Sequence, residues 1–188
     1  QTTLKDLVAF AKANPGKLNY ASAGNGTSHH LAGELFKIIA KVEIGHVPYK
    51  GAGPALQDLI AGTVDMMFDG LGSSSAHIKG GRIRPLAVAA SARAPSLPDV
   101  PTVAETGIAG YEVSTWYALW AVAGAPKDIT DRMVAEVGKA LQSEQLKTIW
   151  ANQGATIGAK NPDDMAKFVA AEIGRWSKVV KEAKIKLD

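Results

Sequence analysis

Leu18-Asn19-Tyr20-Ala21-Ser22-Ala23-Gly24-Asn25-Gly26-Thr27-Ser28 is the stretch whose reading decides the fold. Leu18 to Ser22 reads as a short strand and Ala23 to Ser28 as a loop of small residues. From about His29 the apolar positions Leu31, Leu35, Phe36, Ile38 and Ile39 fall at helical spacing. The chain then repeats the device. Ile44 to Tyr49 reads as a strand, Lys50-Gly51-Ala52-Gly53 as a loop, and a helix opened by Pro54 in its first turn closes at Gly62. Successive β-loop-α units of this kind predict an α/β fold.

Outward from this pair the pattern continues. Leu4 to Ala13 predicts a helix with Leu4, Leu7, Val8 and Ala11 on one face, stopped by Asn14-Pro15-Gly16. Val64 to Phe68 is a further apolar run ending at Asp69-Gly70. Ser73, Ser74 and Ser75 offer caps for a short helix that Gly80-Gly81 terminates. Leu86 to Ala90 reads as another buried strand, and Pro95, Pro98 and Pro101 punctuate an extended connection. Glu112 to Ala123, with Trp116, Tyr117 and Trp120, reads as a long aromatic-rich strand. The end of the chain is helical: Ile129, Met133, Val137 and Leu141 recur at four-residue steps. Asn161-Pro162 opens a helix bearing Met165, Phe168, Val169, Ile173, Trp176 and Val180.

Composition narrows the chemistry. The 188 residues are 46% hydrophobic, enough for a continuous core, and contain no cysteine, which removes disulfides, thiolate nucleophiles and cysteine-held metals. A formal charge of +3, from 21 basic and 18 acidic residues, is too mild for a nucleic-acid footprint. The lysines at 178, 181, 184 and 186 fit a solvated helix end. Gln1 to Ala13 lacks the regions of a signal peptide, and no apolar run is long enough to span a membrane.

The loop at Ser22 to Ser28 is the strongest candidate site. Glycines permit close backbone approach, a helix start presents unsatisfied N–H groups, and Ser and Thr add hydroxyls, so the segment suits an anion. A tight turn with an N-cap is the plainer reading of the same residues. Gly24-Asn25-Gly26 is followed by His29 where a dinucleotide fingerprint needs glycine, and no Gly-Lys-Ser/Thr occurs. Asp69 ends an apolar run where strand ends face a crevice, although an Asx turn before Gly70 would also place an aspartate there. Tyr49 ends the second unit at the corresponding position and offers a hydroxyl, with Lys50 beside it. A catalytic set of Ser28, His29 and Asp69 is conceivable, but no Gly-x-Ser-x-Gly elbow or His-Glu-x-x-His pattern supports it. No catalytic residue, metal or cofactor is therefore assigned; an α/β enzyme acting on a carboxylated or phosphorylated small molecule is the alternative.

Several segments together resemble the tripartite tricarboxylate transporter receptors, also called Bug-type solute receptors. They are Asn14-Pro15-Gly16-Lys17-Leu18-Asn19-Tyr20, Ser22 to Thr27, His46-Val47-Pro48-Tyr49-Lys50-Gly51, Val64 to Asp69, Leu97 to Glu105, and Trp116 to Ala125 before Pro126. The resemblance implies a type II periplasmic-binding-protein-like fold, a periplasmic location, a small carboxylate ligand and a membrane permease as partner. It assigns Ser22, Ala23, Gly24, Asn25, Gly26, Thr27 and Ser28 to ligand binding, with Tyr49 and Asp69 as further crevice residues. It divides the chain into a ligand-binding lobe, 1–112, and a crossover segment with C-terminal helices, 113–188, belonging to the other, incomplete lobe. The family's opening lobe segment has no counterpart here, so the resemblance implies a truncated chain, with a homo-oligomer as one way of covering the incomplete face.

Overall fold

Thr3 and Asp6 start the chain's first helix reciprocally. The Thr3 hydroxyl accepts from the Asp6 amide at 3.1 Å and the Asp6 carboxylate accepts from the Thr3 amide at 3.2 Å, which satisfies two donors that a helix start leaves open. In the computed structural model, which describes residues 2–158 and 160–186, this helix is α1 (Leu4–Ala13). It is followed by β1 (Asn19–Ser22), α2 (Ser28–Ala40), β2 (Gly45–Pro48), α3 (Ala52–Ala61), β3 (Met66–Met67) and α4 (Leu71–Lys79). A 3-10 turn at Ala104–Thr106 precedes α5 (Lys127–Leu141), α6 (Glu144–Asn152) and α7 (Pro162–Glu182).

The strands form one parallel sheet in the order β2-β1-β3, with Tyr20 opposite His46 and Met66. Alternation along β1 sends neighbouring residues to opposite faces. Tyr20 joins a core of Leu4, Leu7 and Ala11 from α1, Phe36 and Ala40 from α2, and Ile44, Val103 and Tyr111. Ala21 joins a smaller cluster with Ala55 and Val64, against which Val47, Leu59 and Met67 pack. The sheet is thus covered on both faces, as parallel sheets require. Tyr111 also ties the far end of this unit down by donating its hydroxyl to the Ala32 carbonyl at 3.2 Å.

Three expectations need correction. Glu112 to Ala123 forms no strand: a strand needs a neighbour for its N–H and C=O groups, and beyond the bond from Val113 N–H to Ala89 O this segment runs without a ladder. Its aromatic content reflects side-chain β-preference that no partner strand takes up. Leu86 to Ala90 contributes only an isolated parallel bridge, Val88 with Thr102. Of Val64 to Phe68, only Met66–Met67 is strand: Val64 turns into the core, and Asp65 meets Asn19 by donating its amide to Asn19 O at 3.2 Å while its carboxylate, in place of its carbonyl, accepts from the Asn19 amide at 2.7 Å.

The C-terminal helices form at the expected positions, with α6 interposed between them. α7 lies against α2. Yet Val179 is the single buried residue among α5, α6 and α7, and Ile129, Met133 and Ile173 are more than half exposed.

Candidate functional site

Because the sheet is parallel, the segments leaving β1, β2 and β3 all emerge at one edge, the edge at which open α/β sheets present ligand sites. The loop after the central strand β1 is the Ser22 to Ser28 segment. Gly24 (φ +133°) and Gly26 (φ +71°) take backbone conformations that other residues rarely adopt. Thr27 then caps α2: its hydroxyl accepts from the His30 amide at 3.5 Å and donates to the Gly24 carbonyl at 2.7 Å.

The loop is closed largely upon itself. Gly24 N–H donates to Ser22 Oγ at 3.1 Å, Thr27 N–H to Gly24 O at 3.3 Å, and Gly26 N–H to His30 Nδ1 at 3.1 Å. Ser22 is fully buried, with its hydroxyl 2.6 Å from His46 Nε2. The sequence reading counted these amides as donors for an anion; the structure spends them on the shape of the loop. Ser28 differs. It is the first residue of α2, it is exposed, and no protein acceptor meets its amide among the described residues. Asn25 is exposed at the loop's tip, and Ala23 is half-buried with its carbonyl accepting from Gly51 N–H at 3.1 Å.

Tyr49 and Asp69 flank this loop. The Tyr49 backbone bonds to Ser22 O at 3.0 Å, but its hydroxyl turns to α3 and donates to Asp58 at 2.7 Å, a bond that raises its pKa above the usual phenol range. Asp69 lies 3.3 Å from His29 Nε2 and accepts from Ser73 Oγ at 2.8 and 2.9 Å, so it links the start of α2 to the start of α4. The pairing of His29 with Asp69 has the outline of a general-base dyad. The remaining ring nitrogen of His29, Nδ1, is buried and meets no hydrogen-bond partner among the described residues.

Sequence reasoning missed what lies beneath the loop. His30 stacks on His46 with centroids 3.9 Å apart, and His46 stacks on Tyr20 at 4.9 Å. The Tyr20 hydroxyl donates to Glu34 at 2.8 Å, and Glu34 also pairs with Lys37. Gly33 admits this column, since a Cβ there would fall on the Tyr20 ring. Burial first, and the neighbouring His30 second, push His46 down to about 4; burial likewise lowers His30, and burial with Glu34 raises Tyr20. The available signal was the equivalence of the two β-α units, which sets Tyr20 opposite His46. A hollow of about 400 Å³ lined by Thr3, Lys5, Leu86 and Pro101 lies away from this edge.

A parallel α/β unit with a glycine-shaped loop at its carboxyl edge is the architecture in which open α/β sheets present a ligand site. Residues 1–185 match the sequence pattern of the tripartite tricarboxylate transporter family receptors (TctC), and the chain belongs to that family. It is 37% identical to the protein BugT of Bordetella pertussis over 185 residues, which cover 98% of this chain and 57% of BugT. Among solved structures it superposes on Rhodopseudomonas palustris Rpa4515 with adipate (40% identity, TM-score 0.92, 98% of this chain and 62% of that one). It also superposes on MatC of the same organism with bound malate (33% identity, TM-score 0.83, 95% and 62%). The chain spans little more than half the length of most of its curated sequence relatives, BugT among them. No described helix is long and apolar enough to cross a membrane.

Proposed function

We propose that this chain is the carboxylate-binding portion of a periplasmic solute receptor that hands a small mono- or dicarboxylate to a membrane permease without altering it. The reading draws on family membership and on relatives solved with adipate and malate. In this chain the observation that carries it is the Ser28 amide, open at the start of α2 beside a loop whose Gly24, Gly26 and Thr27 amides hold its shape. A helix start with a free N–H favours an anion by both hydrogen bond and dipole. Ser22, Ala23, Gly24, Asn25, Gly26 and Thr27 shape the receiving edge, the Ser28 hydroxyl adds a second donor, and Tyr49 and Asp69 border it. In the same proposal residues 1–112 form one lobe and 113–188 cross to a second, whose closure over the ligand excludes water and strengthens each bond.

Ser28→Pro, set against Ser28→Ala, isolates the decisive donor. Proline is favoured at the first helical position, and Thr27 (φ −70°, ψ 163°) already has the extended backbone that must precede it. The substitution therefore removes the amide together with the hydroxyl while leaving the helix intact, and Ser28→Ala, which removes the hydroxyl alone, separates the two. Calorimetry with adipate, malate and acetate is expected to show dicarboxylate binding that weakens about 10- to 100-fold in Ser28→Pro. Undiminished affinity in Ser28→Pro, or conversion of the carboxylate to product, would overturn the reading.

A further inference from the structure

The ring column beneath the loop is more than packing. Its upper member, His30, accepts the Gly26 N–H through Nδ1, and its middle member, His46, meets the Ser22 hydroxyl through Nε2. At Gly26 and at Ser22 the loop is anchored to side chains below it, and both side chains are imidazoles in face-to-face contact, tilted by only 12°. His30 is buried and His46 half-buried.

We propose that His30 and His46 are positioning residues for carboxylate binding: stacked as uncharged rings, they pin the Ser22–Ser28 loop through Gly26 and Ser22, and protonation of His30 unpins it. The proposal rests on the receptor reading above. The chemistry of the two anchors differs. A bond from Gly26 N–H requires a lone pair on His30 Nδ1, so a proton added there sets donor against donor and breaks the bond. His46 is more tolerant: if Nε2 gains a proton it donates to Ser22 Oγ, whose own hydrogen then turns to the Gly24 carbonyl 3.2 Å away. His30 is therefore the releasing element and His46 the support that keeps its ring in place.

The ionisable groups facing the pair come from β1 and α2: Tyr20, Glu34 and Lys37, besides each imidazole facing the other. Glu34 favours a charged ring, but Lys37 opposes it and Glu34 is already engaged by both Lys37 and Tyr20. Burial is the largest influence on both rings and favours the neutral form. A first proton on either ring discourages a second 3.9 Å away, so the two titrate as a coupled pair.

The test follows the loop itself, so that it does not depend on a ligand being found. In the ligand-free chain, nuclear magnetic resonance is expected to show the Gly26 amide shift moving with the His30 ring as pH falls. His30→Phe should lower Gly26 exchange protection about tenfold, the loss of one hydrogen bond. His30→Asn, whose carbonyl can replace Nδ1 as acceptor but cannot titrate, should keep that protection and abolish its pH dependence. With adipate as probe, His30→Phe should bind more weakly than the parent and His30→Asn should restore affinity. A Gly26 amide indifferent to His30 titration would overturn the proposal, as would a disordered loop in His30→Phe with unchanged adipate affinity. If His30→Phe does not fold, the parent's titration and His30→Asn decide. Absence of adipate, malate and acetate binding in the parent would count against the receptor reading, while the Gly26 measurements would still judge the pin.

Discussion

Helices α2 and α5 have similar lengths, 13 and 15 residues, and each carries an apolar stripe legible in sequence. Their fates differ. α2 buries Ala32, Phe36 and Ala40 against β1, β2 and the Tyr111 ring, whereas α5 buries nothing and leaves Met133 55% exposed. An apolar stripe determines that a helix will seek a partner; it does not supply one. Phe36→Ala should therefore cost about 3–5 kcal/mol, the usual cost of an aromatic cavity in a packed core, while Ile129→Ala should stay within about 0.5 kcal/mol. Denaturant unfolding of both variants checks the contrast. A large loss in Ile129→Ala would mean that α5 has a covering surface in solution, such as a second copy of the chain.

The two regions also differ in what can titrate. All four histidines, His29, His30, His46 and His77, lie in the α/β unit, and all four tryptophans, Trp116, Trp120, Trp150 and Trp176, lie beyond it. The His46 ring sits at about 4 when folded against 6.5 ordinarily, and His30 is lowered too. Between those values the unfolded chain holds more protons than the folded one, so stability is full above about pH 6.5 and is lost progressively as pH falls toward 4. Amide protection in β1 and α2 should fall over that window while the tryptophan-fluorescence midpoint stays nearly flat. Parallel movement of both signals would show that the regions unfold as one unit.

Much of the α/β unit was legible because each strand is short, apolar and followed by a loop with its own punctuation. The boundaries of α1 agree with the sequence reading since Thr3 and Asn14-Pro15 are local signals. The Trp116 segment was misread for the converse reason: β-preference is a side-chain property, whereas a strand exists only where a partner accepts its hydrogen bonds. The loop's position could be read from its composition and the preceding strand. Its wiring could not, because the groups that take up the Gly26 amide and the Ser22 hydroxyl are imidazoles, one of them 24 residues away on another strand. Sequence identifies donors; only the fold says which of them remain unspent.

Helix caps sharpen the contrast at the smallest scale. Thr3 caps α1 and Asn161 caps α7, the latter accepting from the Asp164 amide at 2.8 Å, and each cap satisfies a donor that nothing else in its helix can. Removing either by alanine should cost its own helix about 1 kcal/mol. The energies are alike, but the readouts should not be. Through Leu4 and Leu7, α1 is built into the main core, so Thr3→Ala should lower the global unfolding free energy by that amount. Val179 is the only fully buried residue of α7, so Asn161→Ala should accelerate exchange within α7 and barely move global unfolding. Equal global shifts from the two substitutions would mean that the packing of α7 against α2 couples the regions more tightly than its buried surface suggests.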